Sequence, residues 1–142
     1  MKQKLNDILL VDDDAAVNFI NSFLLKKMDC SDKITVRENA MLALDYLKTT
    51  VANGNIAPDL IFLDINMPCM NGWEFIEQFR MLPTKITHSS TIVMLTTSTN
   101  PDDEEKASRI PEIASFKTKP LNKDKMNEIM LQLFPHLFLR AV

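Results

Sequence analysis

The chain has 142 residues, 46% of them hydrophobic and 25% charged, a balance that argues against a disordered chain and fits one folded domain with its own core. With 16 basic and 19 acidic residues the net charge is -3, so there is no broad positive field for nucleic acid or anionic lipid, and no apolar run is long enough to cross a bilayer. The polar start from Met1 to Asn6 has no signal-peptide core, which points to a cytoplasmic protein, and Cys30 and Cys69 lack metal-ligand spacing and read as free thiols.

Ile8-Leu9-Leu10-Val11 is a continuous apolar run of strand length that ends in Asp12-Asp13-Asp14. Asp14 can cap a first helix, on which Val17, Ile20, Leu24 and Met28 recur at helical spacing and are expected to form the buried stripe. Lys33 to Glu38 reads as a short strand. Asn39 can cap a second helix with Ala40, Leu44, Leu47 and Val51 on one face, and Asn53-Gly54-Asn55 stops it. Pro58 then leads into Leu60-Ile61-Phe62-Leu63, a second buried run, which ends in Asp64-Ile65-Asn66-Met67-Pro68.

Gly72 precedes a third helix carrying Phe75, Ile76 and Phe79, and the polar stretch from Pro83 to Ser90 connects it to the run Ile92-Val93-Met94-Leu95, which ends in Thr96-Thr97. Asn100-Pro101-Asp102 opens a short charged helix, because a proline at the first helical position forfeits no hydrogen bond, and Pro111 follows its end. A strand through Phe116 ends in Lys119-Pro120, and Met126, Ile129, Met130 and Leu133 mark the last helix. The tail from Pro135 to Val142 carries Leu137, Phe138 and Leu139, which are expected to pack on the core. Five β-α units in succession predict an α/β fold, a doubly wound five-stranded parallel sheet covered on both faces. Strands that are apolar throughout agree, because such a sheet has no polar face to alternate.

The predicted strand ends carry the carboxylates of Asp12, Asp13 and Asp64, the Thr96 hydroxyl and the Lys119 ammonium, and ligands bind at that edge of an open α/β sheet. Each feature alone has a plainer reading. Asp12 to Asp14 would be a cap with surface acids, Thr96 a strand-end residue and Lys119 a solvated charge. Taken in order, with Met67-Pro68 and Gly72 after Asp64 and Pro120 after Lys119, they resemble the receiver domains of two-component response regulators. The likeness runs from about Asp7 to Phe134, and it implies a (βα)5 flavodoxin-like receiver fold: a single receiver domain over 1–142, with its core at about 7–134 and a short tail at 135–142, of the stand-alone, chemotaxis-regulator-like kind.

The resemblance implies that Asp64 accepts a phosphoryl group from a sensor histidine kinase or a histidine phosphotransfer domain. Three carboxylates at close range repel unless a cation joins them, and Mg²⁺ is the expected cofactor. By resemblance Asp13 binds the metal directly, Asp12 acts largely through water, Asp64 is both ligand and acceptor, and the backbone carbonyl of Asn66 completes the protein ligands. Lys119 and the Thr96 hydroxyl are implied to hold the phosphoryl oxygens, and Thr96 and Phe116 to switch a surface that binds a downstream protein target. Asn66 and Ser98 stand where the family tunes dephosphorylation. The protein is then no enzyme in its own right, only self-phosphorylating and autodephosphorylating at Asp64.

Two rivals are a phosphorylation-independent receiver-like interaction scaffold and an Asp-nucleophile phosphatase. Asp12-x-Asp14 superficially matches the phosphatase motif, but Ala16 stands where that motif has Thr or Val. Gly54 and Gly72 are the only glycines, which excludes a phosphate-binding P-loop, and no helix-turn-helix is left for DNA. His88 and His136 read as solvated, and Met67 and Met70 as plastic packing beside the active loop.

Overall fold

The computed structural model describes residues 4–140, apart from the side chains of Phe138, Leu139 and Arg140. Its strands are β1 (Leu5–Val11), β2 (Ser31–Arg37), β3 (Leu60–Leu63), β4 (Thr91–Thr96) and β5 (Ile113–Thr118). All pair in parallel, in the order β2-β1-β3-β4-β5, so the chain leaves β1 toward one edge and returns on its other side through β3. Between and after the strands lie α1 (Ala15–Met28), α2 (Ala40–Ala52), α3 (Gly72–Phe79), the single turn α4 (Thr84–Thr87), α5 (Pro101–Ser108), α6 (Lys123–Leu133) and α7 (Pro135–Arg140).

The period of two along each strand divides the core. Leu9, Val11, Ile61, Leu63, Ile92 and Met94 face α2 to α5, while Ile8, Leu10, Leu60, Phe62, Val93 and Leu95 face α1, α6 and α7. This two-sided burial is why these strands are apolar at every position. The described structure is therefore the five-stranded, doubly wound parallel sheet that the sequence predicts.

The helix caps follow the sequence closely. Asp14 accepts from the N–H groups of Ala16 and Val17, Asn39 from Leu42, and Asn100 from Asp102 with Pro101 just inside the helix. Ala40, Leu44 and Leu47 are buried as expected, as are Phe75, Ile76, Phe79, Met126, Ile129 and Met130. Leu137 of α7 is buried in the core; the expected packing of Phe138 and Leu139 lies outside the described residues.

Three expectations need correction. The stripe predicted on α1 is only partly the buried face: Leu24 and Met28 are half-buried against the core and Val17 is half-buried, but Ile20 is 58% exposed, and Asn18, Asn21 and Leu25 are the residues that turn fully inward. The helix carries apolar groups on more than one side, and main-chain groups at the end of β1 choose the face, since Asn18 Nδ2 donates to the Asp12 carbonyl at 2.8 Å. The strands β1 and β2 begin earlier than Ile8 and Lys33, where the sequence places their starts, because the parallel ladder extends to Leu5 opposite Ser31. Last, the stretch from Pro83 to Ser90 is not wholly irregular, since α4 places Ile86 in the core.

Candidate functional site

The strand order reverses between β1 and β3, and Asp12 and Asp64 follow the last residues of those two strands. The Asp64 N–H donates to the Val11 carbonyl at 3.0 Å, which locks the two strand ends in register. Asp12 and Asp64 are buried and Asp13 is exposed, and one carboxylate oxygen from each of the three lies within 4.8 Å of the others. Asp14 is not in this group. It is exposed and caps α1, which removes the basis for the phosphatase-like reading of Asp12-x-Asp14.

Lys119 brings the positive charge. Its Nζ lies 2.6 Å from Asp12 Oδ2 and 3.5 Å from Asp64 Oδ2, and its side chain is largely buried. The main chain holds it there, because the Lys119 N–H donates to the Thr96 carbonyl at 2.8 Å. The other Asp12 oxygen accepts from the Asp14 N–H at 2.9 Å. Burial, and after it the Asp12 charge, push the Asp64 carboxyl up from 3.8 to about 6, against the opposing pull of Lys119. Asp64 thus remains mostly ionised at neutral pH but is more basic than an ordinary carboxylate.

Gly72 is fixed by proximity to this site. A β-carbon at this position would lie 2.6 Å from the Asp64 carbonyl oxygen and 3.0 Å from the Ile65 Cα. The Gly72 N–H donates to the Ile65 carbonyl at 2.8 Å, so α3 begins directly against the acidic loop. Asn71 caps α3 in a reciprocal capping box with Glu74. Asn66 is exposed in the same loop, Met67 is buried in the core and Met70 packs against it. Cys69 is exposed with φ 69°.

Thr96 is fully buried at the end of β4, and its Oγ1 accepts from the Ser98 N–H at 3.2 Å. Ser98 donates its hydroxyl to Asp103 on α5 at 2.5 Å. Phe116 on β5 is half-buried and lines a cavity of about 500 Å³ together with Ser98, Pro101, Glu104 and Thr118. The polar Lys117 of this edge strand is paired with Glu128 of α6 at 2.8 Å. His88 and His136 are exposed. Among the described residues, no helix is long and apolar enough to cross a membrane.

Sequence reasoning missed Asn18 and Asn21, which turn into the site from α1. The available signal was two amides at helical spacing shortly after the acidic run.

The response regulator receiver domain family model matches residues 8–131. The chain is 31% identical over 143 residues to a protein-glutamate methylesterase/protein-glutamine glutaminase of Desulfotalea psychrophila, covering 95% of this chain and spanning only 36% of that protein. It also superposes on a two-component response regulator of Cytophaga hutchinsonii with a TM-score of 0.83 and 29% identity, covering 96% of this chain and 98% of that one. A response regulator receiver protein of Dyadobacter fermentans gives a TM-score of 0.79 at 29% identity, over 90% of this chain and 97% of that one. Because the family match runs unbroken from β1 into α6, the chain belongs to the response regulator receiver domains of two-component systems.

Proposed function

We propose that Asp64 is the phosphoacceptor of this receiver. One of its carboxylate oxygens attacks the phosphorus of a phosphohistidine on a sensor histidine kinase or histidine phosphotransfer domain. The P–N bond breaks, its electron pair stays on the imidazole, and an aspartyl phosphate forms. The observation that carries this reading is the placement of Lys119, whose ammonium stands 3.5 Å from the Asp64 carboxylate at the switch point of the sheet. Its charge offsets that of the incoming phosphoryl oxygens, and the raised basicity of Asp64 strengthens it as a nucleophile.

The clustered oxygens of Asp12, Asp13 and Asp64 are a hard donor set suited to Mg²⁺, with the Asn66 backbone carbonyl as the further protein ligand. When bound, Mg²⁺ supplies the positive charge that lets three carboxylates and a phosphoryl group share one pocket. Asp12 and Asp13 position the site, and the Thr96 O–H donates to a phosphoryl oxygen. The resulting shift of Thr96 passes through Ser98 to α5 and Phe116, and changes the surface offered to a downstream protein.

Intact mass spectrometry after incubation with acetyl phosphate and Mg²⁺ tests the reading. Wild type gains one phosphoryl group and Asp64→Asn gains none; equal labelling of the two would overturn the assignment.

A further inference from the structure

Behind the acidic cluster, between α1 and the ends of β1 and β3, lies a small cavity. Its polar wall is Asp12, Asn18, Asn21 and Asp64, and the rest is apolar side chains of β1, β3 and β4. A water-sized sphere has about 10 Å³ to move in, which is room for a single molecule. Asn18 is 4% exposed, and its Oδ1 is buried without a hydrogen-bond partner. Among the described residues it is the one buried side-chain polar atom in that condition. The amide cannot simply be turned over, because Nδ2 donates to the Asp12 carbonyl at 2.8 Å and a flip would set two oxygens against each other. Oδ1 therefore faces away from the Asp12 carbonyl and requires a donor from elsewhere.

We propose that this cavity holds one water molecule, which donates to Asn18 Oδ1 and to the Asp64 carboxylate and accepts from the Asn21 side-chain amide. Asn18 thereby acts as a positioning residue for the phosphoacceptor. Asp64 receives the water in this arrangement because it lines the cavity and Lys119 stands farther from it, at 3.5 Å, whereas Asp12 already has the Asp14 N–H on one oxygen and Lys119 at 2.6 Å on the other. The water occupies the edge of Asp64 that faces α1, and leaves Oδ2, the oxygen facing Lys119, to attack phosphorus. This role also explains why α1 turns two amides inward and leaves Phe19, Ile20 and Phe23 outside. Apolar residues in place of Asn18 and Asn21 would fill the cavity, remove the water and free the Asp64 side chain to rotate.

The inference rests on the phosphoacceptor reading of Asp64, and its test separates the two. A high-resolution crystal structure of the unphosphorylated protein should show a water within hydrogen-bonding distance of Asn18 Oδ1 and Asp64; a clear map with no water there overturns the proposal. Asn18→Leu should lose the water. It should also slow labelling by acetyl phosphate about tenfold, while the Mg²⁺ concentration giving half of the Trp73 fluorescence change moves less than about twofold. A folded Asn18→Leu variant that labels at the wild-type rate overturns the positioning role. Should that variant fail to fold, Asn21→Leu, which removes the third partner of the water, is held to the same two outcomes. If wild type takes no phosphoryl group at all, the phosphoacceptor reading fails and Asn18 positions no acceptor, while the water in the unphosphorylated protein is judged by the map alone.

Discussion

The Ser98 N–H donates to the Thr96 hydroxyl oxygen, so the loop that opens α5 is tied to a buried side chain at the end of β4. The tie continues, since the Ser98 hydroxyl bonds Asp103 in the first turn of α5. A movement of Thr96 toward a phosphoryl group on Asp64 would therefore disturb α5 directly. The cavity beside Phe116 gives that ring space to change position. A few kcal/mol of differential stabilisation is enough to make a minor arrangement dominant.

Thr96→Ala and Phe116→Ala should therefore still accept phosphate on Asp64 but fail to transmit it. The check is a set of amide spectra with and without beryllofluoride, which takes the phosphoryl position on Asp64. In wild type the shifts should reach Pro101–Ser108 and Ile113–Thr118, and in either variant they should stay near the acids. Ser98→Ala, which removes the bond to Asp103, should shrink the shifts in α5. Wild-type changes confined to the acidic cluster would disprove the relay and favour the interaction-scaffold reading.

Stability should fall as pH rises through the range in which Asp64 ionises. The folded protein holds the Asp64 proton up to about pH 6, whereas the unfolded chain releases it near 3.8. Between those values the native state binds more protons, so the slope of stability against pH from this group is negative, and above about pH 6 its full cost is present. A shift of this size is worth about 3 kcal/mol, which solvent screening lowers to on the order of 2 kcal/mol. In EDTA, Asp64→Asn should thus have a higher urea midpoint than wild type at pH 7.5, and the advantage should fade by about pH 4. An equal midpoint at pH 7.5 would contradict the raised carboxyl.

Asp13→Ala should separate metal binding from folding. Asp13 is exposed, so its loss changes stability by no more than about 0.5 kcal/mol. Yet it is one of the three clustered acids, and Mg²⁺ should no longer alter the fluorescence of Trp73, which sits at the start of α3 with Lys106 Nζ 4.5 Å from its ring centre. An unchanged Mg²⁺ titration would remove Asp13 from the ligand set.

The two glycines should respond differently to alanine. Gly72→Ala drives a methyl group against the Asp64 backbone and should cost about 1–3 kcal/mol, with slower phosphorylation because the acidic loop must move. Gly54→Ala meets no atom within 4 Å, but φ is 79°, so about 1 kcal/mol is expected from the left-handed backbone and no change in phosphorylation. Urea midpoints and acetyl phosphate labelling rates for the pair decide the matter.

By itself the sequence determined the sheet and the strand ends that carry the site. Apolar runs such as Leu60 to Leu63 can be satisfied only by burial on both faces, and an acid directly after such a run must emerge at the carboxyl edge. The caps Asp14, Asn39 and Asn100 were equally legible, because a cap is a contact between residues two or three apart. The face of α1 was legible only in part, because Leu24 and Met28 do pack on the core while a contact from Asn18 to the Asp12 main chain turns the helix so that Ile20 is left outside. Nor could spacing reveal that Gly72 abuts Asp64, that Lys119 sits closer to Asp12 than to Asp64, or that Asn18 is left with an unpaired oxygen. Those relations join residues far apart in the chain or depend on how whole elements pack, and only the folded arrangement brings their atoms within reach of one another.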